Sequence, residues 1–299
     1  MNTDFVVLAA GEGKRMLGAA PKVLLPVAGI PMAQHALDTI SGIEKSRAIL
    51  VLGNQAKEVK KALNTKKNTK TVTQRKQLGT AHAVKMALPQ LRSGSVMVVL
   101  YGDVPLVESR SLKKLIKSAE KGSLAILTFI KENPQGYGRI VRGSRNQVRA
   151  IIEEKDATKE QREIKEVNSG ILAIKSSLAK KLLPEIKNKN ASREYYLTDI
   201  VELAKNSGIK VQPLLLDDPD EALGANSVIE LQELERACQR LSAKRLVVSG
   251  VNVADVNRLD IRGPFSANKG SFIDVNNVFE GKVEIGKNTK IGPNCYIKN

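Results

Sequence analysis

Short apolar runs alternate with amphipathic stretches from Asp4 to about Leu216. The runs are rich in Val, Ile and Leu, which is typical of parallel strands that are buried on both faces. The stretches between them repeat their apolar residues at helical spacing. Strands are predicted at residues 4–9, 47–52, 95–100, 124–129 and 210–216, and helices at residues 32–41, 56–63, 79–88 and 109–121. This alternation predicts an α/β domain with a mostly parallel sheet.

Two further apolar runs, residues 139–142 and 147–153, interrupt the alternation. The residues between them, Gly143 to Asn146, are of types that favour tight turns. We therefore expect a hairpin that lies over the carboxyl edge of the sheet. Open α/β folds bind their ligands at that edge.

The remainder of the chain follows a different pattern. Residues 227–246 have roughly helical spacing, and the sequence Val-Val-Ser-Gly at 247–250 ends this stretch. Beyond it an apolar residue recurs at every sixth position, a period typical of the hexapeptide repeats of parallel β-helices. These positions are Ile261, Ala267, Ile273, Phe279, Ile285, Ile291 and Ile297. We predict a first domain over residues 1–226, a linker helix over 227–250 and a short β-helix over 251–299.

The composition is that of an ordinary globular protein, with 42% hydrophobic and 26% charged residues in a chain of 299. No apolar stretch approaches bilayer length, and the N-terminus lacks the basic and apolar regions of a signal peptide. We therefore expect a cytoplasmic protein without membrane insertion. The cysteines, Cys238 and Cys295, form no CxxC pair and indicate neither a zinc site nor a redox pair.

The net charge of +17 is unusual, and it is compatible with nucleic acid, an anionic membrane face or an anionic substrate. Most of the excess lies before residue 251 and is spread over predicted helical faces. Only 3% of the residues are aromatic and none is tryptophan, so the chain has few side chains on which bases could stack. We therefore do not expect it to bind nucleic acid.

A glycine-bearing loop follows the first predicted strand, with the sequence Leu-Ala-Ala-Gly-Glu-Gly-Lys-Arg-Met at residues 8–16. Glycines allow the backbone to approach a phosphate closely, and exposed backbone amides can bind its oxygens. Arg15 and Lys22, the latter in Pro-Lys-Val-Leu at 21–24, can neutralise a triphosphate. The loop lacks the spacing of a Walker A motif.

A carboxylate follows the central run at residues 95–100. Asp103 stands in the sequence Tyr101-Gly102-Asp103 and is expected at the carboxyl edge of the sheet. A hard oxygen ligand there suits Mg²⁺, which takes one or two protein ligands together with substrate phosphates. Taken alone, an Asp after a Gly is more often a turn or cap residue. His35 and His82 fall on predicted helices, and we interpret both as structural.

The order of the motifs along nearly the whole chain resembles one family, the bacterial bifunctional N-acetylglucosamine-1-phosphate uridyltransferases/glucosamine-1-phosphate acetyltransferases. The motifs that carry the resemblance lie at residues 8–16, 21–24, 77–83, 101–106, 136–140, 153–158, 166–171 and 194–199. The resemblance implies a Rossmann-like nucleotidyltransferase domain with a mostly parallel sheet, followed by a left-handed β-helix that trimerises. It also implies a role in making UDP-N-acetylglucosamine for cell-envelope precursors.

The same resemblance implies a role for individual residues. Arg15 and Lys22 would be catalytic, and Asp103 and Asn226 would hold Mg²⁺. The residues that would bind the nucleotide are Leu8, Ala9, Ala10, Gly11, Gln74, Gly79 and Thr80, with Gln74 and the Gly79 backbone at the uracil edge. The residues that would bind the sugar are Tyr101, Gly102, Gly138, Glu153, Asn168 and Asn226. A carboxylate and an amide are suitable partners for sugar hydroxyls.

The reaction implied is attack by the phosphate of N-acetylglucosamine 1-phosphate on the α-phosphorus of UTP, which yields UDP-N-acetylglucosamine and pyrophosphate. Because the nucleophile is already an anion, positioning and charge neutralisation should carry the catalysis. Two residues depart from the family pattern: Lys14 replaces a threonine, and Ser227 replaces a second asparagine.

The β-helix expected here has only about two coils, and the residues of the acetyltransferase would lie beyond Asn299. We therefore expect no acetyltransferase activity, in a chain that is either naturally short or part of a longer one. Two other functions remain open: a pyrophosphorylase for another sugar phosphate or nucleotide, and a non-catalytic basic binding or scaffold protein. The set Arg15, Lys22, Asp103 and Asn226 argues against the second.

Overall fold

The computed structural model describes residues 1–11 and 20–299. They form two compact units. The first contains residues 1–11 and Ala33–Leu223, and the second contains residues 20–32 and Gly224–Asn299.

Strands and helices alternate along the first unit. Between residues 3 and 215 the elements are β1 (Thr3–Ala9), β2 (Pro26–Val27), β3 (Ile30–Pro31), α1 (Met32–Ser41), β4 (Ser46–Leu52), α2 (Ala56–Ala62), β5 (Lys70–Thr73), α3 (Thr80–Ala87), β6 (Val96–Tyr101), α4 (Ser109–Glu120), β7 (Leu124–Ile130), β8 (Arg139–Arg142), β9 (Val148–Ile152), α5 (Lys159–Arg162), β10 (Glu166–Lys175), α6 (Ser176–Leu182), α7 (Ile200–Asn206) and β11 (Val211–Leu215). The short hairpin β2–β3 belongs to the second unit.

The first unit is built on one sheet with the strand order β11-β7-β10-β6-β1-β4-β5. β10 runs antiparallel to both of its neighbours, and the other pairs in this order are parallel. The hairpin β8–β9 joins the sheet through β10. The predicted α/β fold with a mostly parallel sheet is confirmed.

The core lies on both faces of the central strands. Every residue of β1 is buried, as are all residues of β6 except its last. Helices cover both faces of such a sheet, which explains why these strands are apolar throughout rather than at alternate positions. Their side chains pack with apolar residues of α3, α6 and α7 in one cluster.

The second unit contains residues 20–32 as well as the C-terminal part of the chain, whereas the sequence predicted a continuous first domain over residues 1–226. The hairpin β2–β3 explains the difference, because it packs on the helix that follows Ser227. The backbone amide of Ala28, in the hairpin turn, donates to Glu235 Oε2 at 2.6 Å.

Helix α8 (Val228–Val248) begins at Ser227, whose hydroxyl accepts a hydrogen bond from the Glu230 amide at 3.2 Å. Its length of 21 residues would suffice to cross a bilayer, but charged residues occur along all of it. None of the helices in the described residues is both long and apolar enough to span a membrane.

After α8 the chain forms short strands in three parallel ladders. The strands are β12 (Asn252–Val253), β13 (Leu259–Arg262), β14 (Phe265–Ala267), β15 (Phe272–Ile273), β16 (Asn277–Glu280), β17 (Val283–Ile285), β18 (Lys290–Ile291) and β19 (Tyr296–Lys298). The ladders are β12-β15-β18, β13-β16-β19 and β14-β17. Leu259 pairs with Asn277 and Phe265 with Val283, so one coil takes eighteen residues. This is the pairing expected of a three-sided parallel β-helix, and all seven positions of the six-residue period lie in its core cluster.

Gln239 joins α8 to the first coil. Its side chain is almost completely buried, with 2% of its surface exposed. Its Nε2 donates to the Ile261 carbonyl and its Oε1 accepts from the Ile261 amide, each at 2.7 Å. The glutamine thus gives one residue of β13 the two hydrogen bonds that a neighbouring strand would give.

Candidate functional site

The carboxyl ends of β1 and β6 lie side by side in the first unit. The Gly102 amide donates to the Leu8 carbonyl at 2.9 Å, so that Gly102 and Asp103 follow β6 beside the start of the glycine loop. On the other side, Gln77 Nε2 donates to the Ala10 carbonyl at 2.5 Å. The described part of the predicted loop, Leu8 to Gly11, therefore lies at the ligand-binding edge of the sheet. Arg15 and Lys14 lie outside the described residues.

Gln74 and Gly79 lie between β5 and α3. The backbone amide of Gln74 donates to the Leu52 carbonyl at 2.8 Å, and this bond extends the pairing of β4 with β5. Gly79 precedes α3 with a φ of +111°, and a Cβ there would lie 2.6 Å from the Tyr195 carbonyl oxygen. Only glycine fits this backbone and this space. Thr80 then begins α3, and its hydroxyl accepts from the Leu197 amide at 3.1 Å.

A cavity of about 310 Å³ opens in the first unit between the hairpin β8–β9, the middle of β10 and the segment before α7. Five of the predicted site residues line it. They are Thr80, Tyr101, Gly138, Glu153 and Asn168. Its apolar lining residues are Ile126, Ile151, Leu172, Leu197, Ile200 and Val201. Gly102 is not among the lining residues, although the preceding Tyr101 is. The cavity thus combines apolar side chains with polar groups, as small-molecule sites do.

A break in β10 brings Asn168 into the cavity wall. The pairing of β10 with β7 shifts register between Asn168 and Leu172. Gly170, inside the break, has a φ of +81°, and a Cβ there would lie 2.5 Å from the Tyr101 ring. The backbone amide of Asn168 donates to the Gly138 carbonyl at 2.8 Å, and this bond fixes the hairpin to the break in β10.

Tyr101 forms the wall of the cavity next to Gly170. Burial raises the pKa of its phenol well above the usual value, and the negative charges of Glu153 and Asp103 act in the same direction. A hydrogen bond with Thr80 opposes them. Tyr101 is therefore a neutral hydroxyl near pH 7, and it can donate or accept a hydrogen bond.

Glu153 is the carboxylate of the cavity. Burial raises its pKa; a hydrogen bond from the Thr198 hydroxyl to Oε1, at 2.9 Å, lowers it; and the negative charge of Asp199 raises it again. A Cβ placed on Gly138 would lie 3.5 Å from Glu153 Oε2, so the absence of a side chain there leaves space beside this oxygen. Oε2 thus borders the part of the cavity that Gly138 leaves open.

Arg139 holds the glycine-containing turn before β8 in place. Its side chain is almost fully buried, with 1% exposed, and Nη2 forms a salt bridge with Glu154 at 2.7 Å. The guanidinium also donates to the carbonyls of Tyr137 and Arg162. Glu154 in turn accepts from the Gly136 amide at 3.2 Å. This network fixes the backbone on which Gly138 stands.

Lys22 and Asn226 meet in the second unit. Lys22 begins a short 3-10 helix, Lys22–Leu24, and only 7% of its surface is exposed. Its Nζ donates to Asn226 Oδ1 at 2.6 Å. The next residue is Ser227, one of the two departures from the family pattern, which caps α8. Serine is among the best helix-capping residues, so this replacement keeps the local structure that follows Asn226.

The oxygen donors of Asp103 and Asn226 are of the kind that Mg²⁺ prefers. Asp103 directly follows the carboxyl end of a central strand, where a nucleotide phosphate would be expected. The described residues contain no group of three or more His, Cys, Asp or Glu side chains that could hold a metal ion alone. Such a group is not required, because Mg²⁺ in phosphate sites takes most of its ligands from substrate and water.

Sequence reasoning did not assign a role to Thr198 or Arg139, although both stand in motifs that were recognised. Thr198 bonds to Glu153, which is 45 positions away, and this contact depends on the fold. For Arg139 a signal was present, because an arginine inside an apolar strand pattern must find acidic or carbonyl partners when it is buried.

Residues 5–171 match the model of the MobA-like NTP transferase domain. The chain is 46% identical over 297 residues to the bifunctional protein GlmU of Marinobacter nauticus, covering 98% of this chain and 64% of that protein. It is 44% identical over 299 residues to the protein of the same name from Stutzerimonas stutzeri, covering all of this chain and 66% of that protein. The chain therefore spans about two thirds of the length of these relatives.

Solved structures support the same fold. A UDP-glucose pyrophosphorylase complexed with UDP-glucose superposes with a TM-score of 0.64 at 17% identity, covering 80% of this chain and 98% of that one. A putative glucose-1-phosphate thymidylyltransferase from Bacillus anthracis gives a TM-score of 0.58 at 17% identity, covering 78% and 94%. The chain belongs to the MobA-like NTP transferase domain family, and the resemblance to the bifunctional uridyltransferase/acetyltransferase proteins, inferred from its motifs, is confirmed.

Proposed function

We propose that this chain transfers the uridylyl group of UTP to N-acetylglucosamine 1-phosphate, giving UDP-N-acetylglucosamine and pyrophosphate. The observation that carries the proposal is the cavity lined by Glu153, Asn168 and Gly138, at the ligand-binding edge of an NTP transferase domain. Its volume of about 310 Å³ is suited to one sugar ring. We propose a cytoplasmic setting, where UTP is available.

The polar and the apolar residues of the cavity are suited to different groups of an N-acetylated sugar. Glu153 Oε2 and the side-chain amide of Asn168 are candidates to bind the hydroxyl and amide groups of the sugar. A carboxylate accepts hydrogen bonds, and a side-chain amide both donates and accepts them. The apolar side chains of the lining are suited to contact the methyl group of an acetamide, because burial of this methyl group would favour binding. Gly138 leaves room for the ring to come close to Glu153.

The reaction itself needs no strong general base. A phosphate oxygen of the sugar phosphate attacks the α-phosphorus in line with the departing pyrophosphate, one P–O bond forming as the other breaks. In our proposal Lys22 neutralises the attacking and α-phosphates, and Arg15 neutralises the leaving pyrophosphate. In the structure the nearly buried Lys22 ammonium donates to Asn226 Oδ1. The same oxygen is proposed below to hold Mg²⁺, so in our proposal the ammonium exchanges this bond for the substrate phosphates when the ion is bound.

Asp103 and Asn226 are proposed to hold Mg²⁺ together with the substrate phosphates. When bound, the ion would supply positive charge against the negative charge of the triphosphate. The support is the chemistry of the two side chains, both of which offer oxygen donors, and the position of Asp103 directly after β6.

The proposal is tested by measuring pyrophosphate release with a panel of nucleoside triphosphates and sugar 1-phosphates, with Mg²⁺ and with a chelator. We expect the highest kcat/KM for UTP with N-acetylglucosamine 1-phosphate, and no release without the metal. Asp103→Ala should abolish turnover and leave the thermal unfolding unchanged. Asp38→Ala serves as its control, because that carboxylate is exposed on α1. A preference for another sugar would keep the reaction class and refute the substrate, whereas no pyrophosphate with any pair would refute both.

We also propose that the second unit associates into a trimer, as the resemblance implies. The support is the resemblance itself, together with the parallel ladders of the second unit, which are of the kind that the resemblance implies. Repulsion between copies with a charge of +17 opposes association, and salt screens it over about 8 Å near physiological ionic strength. Association should strengthen with salt in sedimentation experiments, and a monomer at every salt concentration would contradict it.

A further inference from the structure

The side-chain amide of Gln74 is buried, with 4% of the residue exposed, and its orientation is fixed by two acceptors. Nε2 donates to the Gly79 carbonyl at 3.2 Å and contacts His82 Nδ1 at 2.9 Å. The Gly79 carbonyl oxygen can only accept a hydrogen bond, so Gln74 must face it with Nε2 and not with Oε1. The two N–H groups of the amide are therefore both used, one on each acceptor.

His82 can accept the second hydrogen bond only as a neutral imidazole with its proton on Nε2. Its surroundings favour that state. Burial lowers the pKa of His82, and the ammonium of Lys85, one turn further along α3, lowers it as well. The ring of Tyr195 lies next to His82, with 6.4 Å between the two ring centroids. His82 is thus a permanent acceptor near pH 7.

This arrangement has a consequence for the atom that Gln74 can offer to a base. With both N–H groups bound inside the protein, Oε1 is left as the acceptor for a ligand. Uracil carries an N3–H that can donate to such an oxygen. Cytosine has a lone pair on N3, which would face the lone pairs of Oε1 and repel them. A fixed acceptor at this place therefore selects an imide base against cytosine.

We propose that His82 is a specificity-determining positioning residue, which holds Gln74 so that Oε1 accepts from the imide N–H of the base. The proposal rests on the function proposed above, since it deepens the recognition of the uracil. It also assigns a task to a histidine that sequence analysis interpreted as structural. Thymine has the same imide edge as uracil, so the device would not separate these two bases.

The test compares UTP with CTP in the full chain, by kcat/KM with N-acetylglucosamine 1-phosphate and by calorimetric binding of each nucleotide. In His82→Phe the ring remains and the acceptor is lost. We expect its UTP:CTP ratio to fall about fivefold or more, the effect of one neutral hydrogen bond. His82→Asn should restore the ratio to about the parent value, because its Oδ1 can lie where Nδ1 was and accept the same bond. His35→Phe, the same change on α1, should leave the ratio unchanged.

Thermal unfolding shows whether the variants fold, and His82→Leu takes the place of His82→Phe if the latter does not. An unchanged UTP:CTP ratio in the folded variant without an acceptor would overturn the proposal, as would a ratio that is equally low in His82→Asn. Calorimetric binding of UTP and CTP tests the role of His82 independently of the reaction. If the parent chain prefers UTP over CTP through His82 but releases no pyrophosphate, the inference stands and the proposed reaction is wrong.

Discussion

Replacing Glu153 with glutamine distinguishes two effects of this buried carboxylate, its contribution to sugar binding and its effect on the stability of the fold. The change keeps the size of the side chain and an oxygen that can accept, and it removes the negative charge. In the structure Oε1 accepts from the Thr198 hydroxyl, while Oε2 borders the open part of the cavity beside Gly138. The exchange therefore acts on the oxygen that we assign to the sugar.

The expected loss of activity follows from the type of hydrogen bond. A bond to a charged group contributes about 1.5–3 kcal/mol, which corresponds to roughly a 10- to 150-fold effect on kcat/KM. We expect Glu153→Gln to lower kcat/KM for N-acetylglucosamine 1-phosphate by a factor in this range. The KM for UTP should change little, since Glu153 is not among the residues proposed to bind the nucleotide.

Stability should change in the opposite direction. Burial raises the pKa of Glu153 above its usual value of 4.5, so the folded state favours the protonated acid more than the unfolded state does. The resulting stability is present below the usual pKa and is lost as the pH rises through the raised pKa. Above the raised pKa the ionised carboxylate destabilises the fold, so the neutral glutamine should raise Tm, and the gain should grow with pH. For a unit of this size, each 1 kcal/mol corresponds to roughly 2–4 °C.

The matched control is Glu160→Gln. Glu160 also accepts a hydrogen bond from a threonine, Thr158, at 2.8 Å, but it is exposed. Steady-state kinetics and thermal unfolding at pH 7 should show neither effect in this control. A Glu153→Gln variant with unchanged kcat/KM would remove Glu153 from sugar binding, and a lowered Tm would mean that the Thr198 bond outweighs the cost of burial.

Three further substitutions test other parts of the structure. Gly170→Ala should destabilise the first unit by about 1–3 kcal/mol in urea unfolding, because φ is +81° and the new Cβ would meet the Tyr101 ring; an unchanged midpoint would contradict this. Asp4→Ala should destabilise the first unit by about 3–5 kcal/mol in urea unfolding, since it removes the buried carboxylate that pairs with Arg47 and Arg92. Burial raises the pKa of Asp4, but its hydrogen bonds with these arginines and Ser95 lower it further, so the parent chain should lose part of this stability in acid as Asp4 is protonated. Lys22→Ala should lower kcat about 100-fold or more with little change in KM, and a KM effect alone would indicate uniform binding instead.

The central strands could be predicted from sequence because burial on both faces makes them continuously apolar. The run predicted at residues 4–9 is β1, Thr3–Ala9, and the run at 47–52 is β4, Ser46–Leu52. The hairpin was predicted for a different reason, its turn residues. Arg145 and Asn146 adopt φ values of +57° and +58°, the left-handed region that such turns require.

Two strands of the same sheet were not predicted. β5 has the sequence Lys-Thr-Val-Thr, lies at the edge of the sheet and keeps one apolar residue, so its pattern is too short to be recognised. β10 is interrupted by Asn168, Ser169 and Gly170, which divide its apolar residues into two short groups. Its antiparallel direction is a property of the whole chain path, for which a single segment contains no signal.

The interruption of β10 is also the feature that forms the candidate sugar site, and Ser169 shows how the fold tolerates it. A break in a central strand leaves backbone groups without ladder partners, which is costly in a buried position. The Ser169 hydroxyl donates to the Leu127 carbonyl at 2.8 Å and accepts from the Ile171 amide at 3.1 Å, so one side chain satisfies a group on each strand. Because Ser169 satisfies these backbone groups, Asn168 and Gly170 can line the cavity without an unpaired ladder beside them. The sequence shows the departure of these residues from the strand pattern, and the structure shows that the Ser169 hydroxyl compensates for it at the candidate site.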